Sequence, residues 1–376
     1  MKIIIVSPAY PWRGGIAHHT SLLALHLSKR HTVEVVTFSR QYPSFVFPGK
    51  SQYDVNGEPL TVPTHQWIDS INPYSWIVTA KRIHRKNPDL IIFAHSLPFF
   101  GPCYGTIIRL VKWKIRTRVL FLCHNIIPHE RRIGDIVFTR FAFKRSDYFI
   151  VQSSVVEQEL LQLFPKAEYR LSPHPVYEKF GAPILKEEAR QRLGISAKKV
   201  ILYFGYVRAY KGLMFLIEAM RAISDRVNDV MLLIVGEFYE NETQFRTRVR
   251  ELGLEPVVRF VPEYVPNNTV GLYFSSADVV VLPYLSASQS GIAQIAYHFD
   301  KPIIATNVGG LAEVVVEGKT GFVVSPGISE ALANAVRKFY EGGYERAFIE
   351  SVRIEKRKYT WENLVVTIEE LIAQHG

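Results

Sequence analysis

The stretch ADVVVLPYLSASQSGIAQIAYHFDKPIIATNVGGLAE, residues 277–313, decides the fold. Its apolar run 278–283 predicts a buried parallel strand, and residues 288–291 (SQSG) then open a segment with helical apolar periodicity. A second strand, 302–306, leads through Gly309-Gly310 into another short helix. A strand followed by small residues and a helix N-terminus presents free backbone N–H groups to an anion. The stretch therefore predicts a site for a phosphorylated ligand, with an ordinary pair of capped βα units as the alternative.

Length and composition predict two domains. The chain has 376 residues and is 48% hydrophobic, which is enough for two separate cores. No run approaches the ~20 apolar residues of a membrane span, and Met1 leads directly into an apolar strand without a signal-peptide pattern. We therefore expect a cytoplasmic protein. Cys103 and Cys123 lie in apolar surroundings that favour reduced core thiols, and the His, Cys and carboxylate spacing is not that of a zinc site.

The net charge of +10 comes from the first half of the chain. Residues 1–180 hold 23 Lys and Arg against 12 Asp and Glu, whereas residues 181–376 hold 22 against 23. Two clusters stand out, the second interleaved with apolar residues: Lys81, Arg82, Arg85 and Lys86, and then Arg109, Lys112, Lys114, Arg116 and Arg118. Such a pattern predicts peripheral docking to an anionic membrane surface, with a solvated helix face as the alternative. Nucleic acid is not an expected partner, because no recognition module is visible.

Strands and helices alternate along nearly the whole chain, which predicts an α/β architecture with parallel sheets. Near the N-terminus, Gly14-Gly15 opens a helix and lets backbone approach a ligand closely, since glycine has no Cβ. The motif is not G-x-G-x-x-G, so a dinucleotide site is unsupported. Residues 39–72 lack clear periodicity and predict a long loop that is a candidate to receive an acceptor.

Two histidines follow predicted strands of the first half. His95 comes after strand 90–94, and His124 comes after strand 119–123. Ligands gather at the carboxyl ends of strands in open α/β sheets, so both are candidates to contact substrate. The alternative for each is a simple hydrogen bond to backbone. His124, which Asn125 follows, is the stronger candidate.

The second half supplies cations. A proline-rich linker at 173–187 separates it from the first half, and two Rossmann-like halves predict a ligand cleft between them. Arg208 and Lys211 lie in the turn between a strand and a helix, where fixed cations beside helix N-termini suit a departing diphosphate without a metal ion. Glu237 ends the next strand and is a candidate to accept hydrogen bonds from ligand hydroxyls.

Taken in order, six motifs resemble those of the retaining glycosyltransferases of family 4. They are GGI at 14–16, HN at 124–125, FGYVRAYKG at 204–212, VGE at 235–237, ADVVVLPY at 277–284 and KPIIATNVGGLAEVV at 301–315. The stretch 359–362 is similar to the start of that family's C-terminal crossover helix. The resemblance implies a GT-B fold with two facing Rossmann-like domains, 1–176 together with the helix 360–376, and 177–359.

The resemblance also implies an activity: transfer of a sugar, with retention of configuration, from a nucleotide-diphosphate donor to a lipid-linked, polysaccharide or other glycan acceptor. No metal or other cofactor is expected. Arg208 and Lys211 match the family's diphosphate-binding residues, and Gly14-Gly15 matches the loop that borders phosphate and sugar. His124 matches the histidine placed beside the donor sugar. His124, Arg208 and Lys211 are thus the expected catalytic residues.

The chain departs from the family at its E-x7-E motif. The two glutamate positions fall near Ala287 and Ile295, and neither residue is acidic. The loss removes a ribose clamp worth about 1.5–3 kcal/mol. At this position the chain resembles a variant branch of the family. The resemblance implies that its own donor-binding residues here are Gln289, Ser290, Gly291 and Ile292. A catalytically silent GT-B scaffold or sugar-nucleotide-binding partner is the alternative, and an epimerase or phosphorylase on the same fold is a third reading.

Overall fold

The computed structural model describes residues 1–43, 51–54, 59–128 and 132–374. The chain divides into two compact units, Met1–Pro175 with Thr360–Gly376, and Val176–Tyr359. Each unit is built on one parallel sheet with helices between most successive strands, so the predicted α/β class is confirmed.

The first unit contains a seven-stranded sheet in the order β3-β2-β1-β4-β5-β6-β7, in which every neighbouring pair is parallel. Its strands are β1 (Lys2–Val6), β2 (Thr32–Arg40), β3 (Thr64–Asp69), β4 (Leu90–His95), β5 (Arg118–Cys123), β6 (Tyr148–Val151) and β7 (Tyr169–Leu171). The central strands are continuous apolar runs because helices cover both faces of a parallel sheet. In β4, every residue is buried.

Helices of the first unit are α1 (Gly15–Ser28), α2 (Pro73–Lys86), α3 (Gly101–Lys112), α4 (Asp135–Phe143) and α5 (Ser154–Leu163). The C-terminal helix, Trp361–Ala373, rejoins this unit as the sequence predicts. It is held by the buried ring of Trp361 and by a hydrogen bond between His31 Nε2 and the carboxylate of Glu369 at 2.8 Å.

Residues 39–72 are not one long loop, so that expectation was wrong. Thr64–Asp69 form β3, which pairs with β2 at the edge of the sheet. The strand escaped notice because an edge strand is only partly buried and carries polar residues, here His65 and Gln66. Residues 44–50 and 55–58 of the same stretch lie outside the described residues.

The second unit contains a six-stranded parallel sheet in the order β10-β9-β8-β11-β12-β13. Its strands are β8 (Lys199–Phe204), β9 (Val230–Val235), β10 (Val258–Val261), β11 (Val279–Leu282), β12 (Ile303–Thr306) and β13 (Gly321–Val324). Its helices are α6 (Lys186–Leu193), α7 (Leu213–Ser224), α8 (Glu242–Glu251), α9 (Asn267–Ser276), α10 (Gly291–His298), α11 (Leu311–Val314), α12 (Ser329–Glu341) and α13 (Glu345–Glu355).

The strand order reverses once in each sheet. In the first unit the reversal lies between β1 and β4, and in the second between β8 and β11. Successive connections leave in opposite directions at such a point, which opens a crevice at the carboxyl ends of the two strands. The loops after β8 and β11 are therefore the ones positioned to hold a ligand in the second unit.

Candidate functional site

Glycines bring the strand ends of the second unit into backbone contact. Gly212 has a φ of +64°, and a Cβ there would lie 2.0 Å from the carbonyl oxygen of Pro283. A Cβ on Gly236 would lie 2.1 Å from the carbonyl oxygen of Gly205. These distances exclude any side chain, so the loops after β8, β9 and β11 are packed backbone to backbone.

Lys211 is a buried cation at the end of this loop. Lys211 is only 8% exposed, and its Nζ lies 5.4 Å from the centroid of the Tyr284 ring. Within the described ranges, no carboxylate forms an ion pair with it. Burial, and then the charge of Arg208, lower the pKa of Lys211 to about 8. A buried charge is ordinarily paired, so this arrangement is suited to an anionic ligand.

Arg208 supplies a second cation in the same turn. Its guanidinium carbon lies 4.9 Å from the centroid of Tyr239, whose ring stacks on Tyr206 at 4.8 Å. As with Lys211, no carboxylate in the described part of the chain pairs with it. The aromatic face therefore orients the guanidinium and leaves its N–H groups for a ligand.

The first turn of α10 stands beside Lys211. A Cβ placed on Gly205 would lie 3.1 Å from Nζ of Lys211 and 3.3 Å from the side chain of Ile292, the second residue of α10. The Ser290 side chain caps the helix by accepting a hydrogen bond from the N–H of Ala293 at 3.4 Å. Both the amino group and the helix N-terminus thus offer positive potential to one location.

The loop after β12 supports the segment that leads into α10. Gly309 has a φ of +45°, and a Cβ on it would lie 1.7 Å from the carbonyl oxygen of Ala287. This contact fixes the backbone immediately before residues 288–290. The Gly309-Gly310 turn is thereby assigned a supporting role, and α11 has only four residues.

The remaining donor-site candidates of the second unit lie on neighbouring loops. Glu237 is buried after β9, and its carbonyl accepts a hydrogen bond from the N–H of Val207 at 2.9 Å. Gln289 is half-buried before α10, and a Cβ on Gly291 would lie 3.1 Å from the ring of Tyr177. The structure therefore brings Lys211 next to Ile292 of α10. Arg208 contacts Tyr239, two residues after Glu237 in the loop that follows β9.

In the first unit, Gly14 and Gly15 begin α1. Gly14 has a φ of +114°, and a Cβ on it would meet no atom within 4 Å. Glycine is thus required there by backbone conformation, and the space beside it is open.

His124 lies directly after β5, and its backbone N–H donates a hydrogen bond to the backbone carbonyl of His95 at 2.9 Å. Burial, followed by the neighbouring His174, lowers the pKa of His124 to about 3. The neutral ring lies 4.6 Å from that of His19 and 6.2 Å from that of His174. His95, the other sequence candidate, is fully buried against Phe143, and burial lowers its pKa to about 3.

Sequence reasoning missed His19 and His174. The zinc-type spacing that the sequence lacks is a local pattern, whereas these two residues and His124 come from three distant segments. A signal was available for one of them, since His19 lies four residues after Gly15 and hence on the same face of α1. The ring of Trp361, also buried, packs on His19 at 4.8 Å.

Sequence reasoning also missed an exposed apolar surface on and beside α4. Its apolar members are Ile133, Ile136, Val137, Phe138 and Phe141, and its exposed basic neighbours are Arg132, Arg140, Lys144 and Arg145. We call these nine residues the α4 surface.

Several residues of the predicted basic clusters, by contrast, form ion pairs with carboxylates of the same unit. Lys86 pairs with Glu34 at 2.7 Å, and Lys112 pairs with Asp147 at 2.6 Å.

Both halves of the chain match glycosyltransferase families. Residues 13–177 match the model described as Glycosyltransferase Family 4, and residues 198–342 match the model described as Glycosyl transferases group 1. A D-inositol 3-phosphate glycosyltransferase of Corynebacterium urealyticum is 30% identical over 65% of this chain and 59% of its own length. The match spans about half of the first such relatives, between 43% and 59% of their length. An uncharacterized glycosyltransferase of Methanocaldococcus jannaschii is 28% identical over 97% of this chain and 96% of its own.

Solved structures show the same fold. HepE of Anabaena, crystallised with UDP, has a TM-score of 0.77 at 19% identity, covering 100% of both chains. The same protein has also been crystallised with UDP-glucose. The GT-B fold implied by the sequence resemblance is thus confirmed. As for the membrane, every helix among the described residues is too short or too polar to cross one.

Proposed function

We propose that this chain, a glycosyltransferase of the family 4 type with a GT-B fold, transfers a glycosyl group from a nucleotide-diphosphate sugar to a glycan or lipid-linked acceptor. The observation that carries the proposal is that Lys211 and Arg208 are neighbouring cations without a carboxylate partner in the described ranges, and that Lys211 lies next to the N-terminus of α10. Such a group of charges suits a diphosphate. Support for the donor class comes from the fold likeness to a protein crystallised with UDP and UDP-glucose.

In the proposed reaction, the main task of the site is to stabilise the diphosphate leaving group. The bond between the anomeric carbon and the diphosphate breaks, and a bond from that carbon to the acceptor oxygen forms on the same face. The acceptor proton passes to the departing phosphate. Lys211, Arg208 and the N–H groups at the start of α10 are proposed to take up the developing negative charge, so that no metal ion is required. His124, neutral because it is buried, is proposed to hydrogen-bond a sugar hydroxyl.

Donor recognition is proposed to proceed without the paired glutamates. Ala287 and Ile295, at the two expected positions, are both buried and apolar. We assign the role of contacting donor hydroxyls to Glu237 and to the segment from Gln289 to Gly291. This assignment predicts that the nucleotide is held more through its diphosphate than through its ribose.

Nucleotide release distinguishes the transferase from a silent scaffold. The chain is incubated with UDP-, GDP- and ADP-sugars, with and without a mixture of lipid-linked and free glycan acceptors, and the released nucleoside diphosphate is measured. Release that depends on acceptor supports transfer. If a donor raised the melting temperature of the chain without any nucleotide release, the result would contradict the transferase proposal and support the silent scaffold. The two cations without a carboxylate partner in the described ranges do not favour the scaffold.

We further propose that the α4 surface docks on an anionic bilayer, which would bring a lipid-linked acceptor within reach. Residues 132–145 contain four basic residues and one acidic residue, so apolar insertion and charge attraction act together. The α4 helix is held firmly against α3, since a Cβ on Gly101 would lie 2.3 Å from the carbonyl oxygen of Phe138. The exposed side chains of Ile136 and Val137 therefore face solvent from a rigid support, whereas the ring of Phe141 lies 3.8 Å from the Arg109 guanidinium.

Val137→Ser is expected to weaken binding to vesicles of mixed phosphatidylcholine and phosphatidylserine on the order of fivefold, because one apolar side chain no longer enters the lipid. Ile354→Ser is the matched control, since Val137 and Ile354 are each 66% exposed and Ile354 lies in the second unit. Co-sedimentation measures both, at low and high salt. Equal binding to neutral and anionic vesicles, or an equal loss in the two variants, would refute the docking proposal.

A further inference from the structure

Three histidines of the first unit come together in its interior. His19 lies on α1, His124 follows β5, and His174 follows β7. All three are buried, and one ring nitrogen from each lies within 4.8 Å of the other two. The rings of His19 and His174 are 5.0 Å apart and nearly perpendicular. Three imidazoles from three separate segments thus point their nitrogens at one small volume.

The surrounding groups orient these rings. Nδ1 of His174 lies 2.7 Å from the carbonyl oxygen of Pro175. A proton on Nδ1 is donated to that oxygen, which leaves the lone pair of Nε2 directed elsewhere. Nε2 of His19 accepts a hydrogen bond from the side-chain amide of Gln152 at 3.3 Å, which a metal on Nε2 would displace, and the ring of Trp361 packs on His19. A backbone carbonyl that accepts from the second ring nitrogen, as at His174, fixes the tautomer of the ring and is typical of metal-binding histidines.

The chemistry of the cluster favours a transition metal over other ligands. Burial favours the neutral imidazole, which is the form that coordinates a metal. Three neutral nitrogen donors without a carboxylate suit Zn²⁺ and disfavour Ca²⁺ and Mg²⁺. Tetrahedral Zn²⁺ with nitrogens at about 2.0–2.1 Å needs the three nitrogens about 3.4 Å apart. The three nitrogens lie within 4.8 Å of one another, so metal binding requires them to approach by up to about 1.4 Å.

We propose that His19, His124 and His174 form a zinc site, with three nitrogen ligands and an open fourth position. Resting on the function proposed above, the site has a consequence for activity. A metal that engages His124 withdraws it from the donor sugar, so Zn²⁺ acts as a reversible inhibitor of a transfer reaction that itself uses no metal.

Metal affinity is measured first, without donor or acceptor, on the full chain free of any affinity tag. Competition with a chromophoric zinc chelator is expected to show one tight site. His19→Gln and His174→Gln are each expected to weaken it by about 100-fold, because two ligands remain. His95→Gln is the control, a fully buried histidine whose ring contacts are Phe121 and Phe143, and it is expected to leave the affinity unchanged. Circular dichroism confirms that each variant is folded.

Co²⁺ provides a test on the unaltered chain. A four-coordinate site with three imidazoles gives strong visible absorption, which Zn²⁺ should abolish by displacement. A chain that takes up no Zn²⁺ and shows no such absorption overturns the proposal, as does equal binding by both variants and the control. Inhibition is scored separately as Zn²⁺-dependent loss of nucleotide release, reversed by EDTA. An inactive enzyme that still binds Zn²⁺ through these residues would refute the proposed function and leave the metal site standing.

Discussion

Lys211→Met is expected to lower the transfer rate constant by about 10²–10³-fold, the usual effect of removing one preorganised group that stabilises a leaving charge. Methionine keeps the length and apolar stem of the side chain, so the packing against Tyr284 is retained. Because Lys211 is buried without a carboxylate partner in the described part of the chain, its removal should leave the free energy of unfolding unchanged or raise it by up to about 1 kcal/mol. Rate and stability are measured by nucleotide release and by urea unfolding.

Lys301→Met is the matched control for this prediction. Lys301 is also 8% exposed, and burial lowers its pKa to about 8 as well. Its Nζ, however, donates to the carbonyls of Ser275 and Ala277 at 3.2 and 2.8 Å. We expect this variant to lose about 1–3 kcal/mol of stability with little change in rate. If the two variants exchanged these profiles, Lys211 would be a structural lysine and the proposed phosphate site would be wrong.

The second large effect is expected from Gly309→Ala. Its Cβ would lie 1.7 Å from the carbonyl oxygen of Ala287, so the two loops must separate by more than 1 Å. The displaced segment leads directly into Ser290 and the first turn of α10. Misplacement by about 1 Å near a reacting group costs on the order of 10²-fold in rate, and we expect that loss here.

Gly318→Ala isolates the contact from the backbone strain. Gly318 has a φ of +69°, and a Cβ on it would meet nothing within 4 Å. Both alanines bear the cost of a left-handed conformation, about 1–2 kcal/mol, but only Gly309→Ala adds the collision. Thermal unfolding and donor titration of the two variants should therefore differ. An equal loss of stability with unchanged donor affinity in both would show that the Gly309 loop does not position α10.

The fold was predictable because buried parallel strands are apolar runs with distinct ends. The strand pattern at 278–283 and 302–306 matches β11 and β12 closely, and the helix opening at residue 291 is the start of α10. The edge strand β3 was not predictable by the same rule. It is only partly buried, so its sequence lacks a continuous apolar run.

The candidate site was predictable in its residue types but not in its electrostatics. The turn between β8 and α7 indicated Arg208 and Lys211 as neighbours of a helix N-terminus. Sequence could not show that Lys211 is buried or that both cations lack a described carboxylate partner, since those facts depend on contacts between distant loops. The histidine cluster and the α4 surface were missed for a related reason. Neither has a local spacing, and both exist only after the segments have packed.

The most direct test of the account is the pH dependence of nucleoside diphosphate binding by calorimetry, using the tightest binder among UDP, GDP and ADP. With a pKa of about 8 in the free protein, Lys211 is charged below that pH and loses its proton above it. A bound diphosphate favours the charged form, so binding above pH 8 requires proton uptake. The dissociation constant should then be constant from pH 6.5 to 7.5 and rise by about tenfold per unit above pH 8, whereas Lys211→Met should show no such rise. Equal affinity of the unaltered chain at pH 7 and pH 9.5 would contradict the claim that Lys211 anchors the diphosphate.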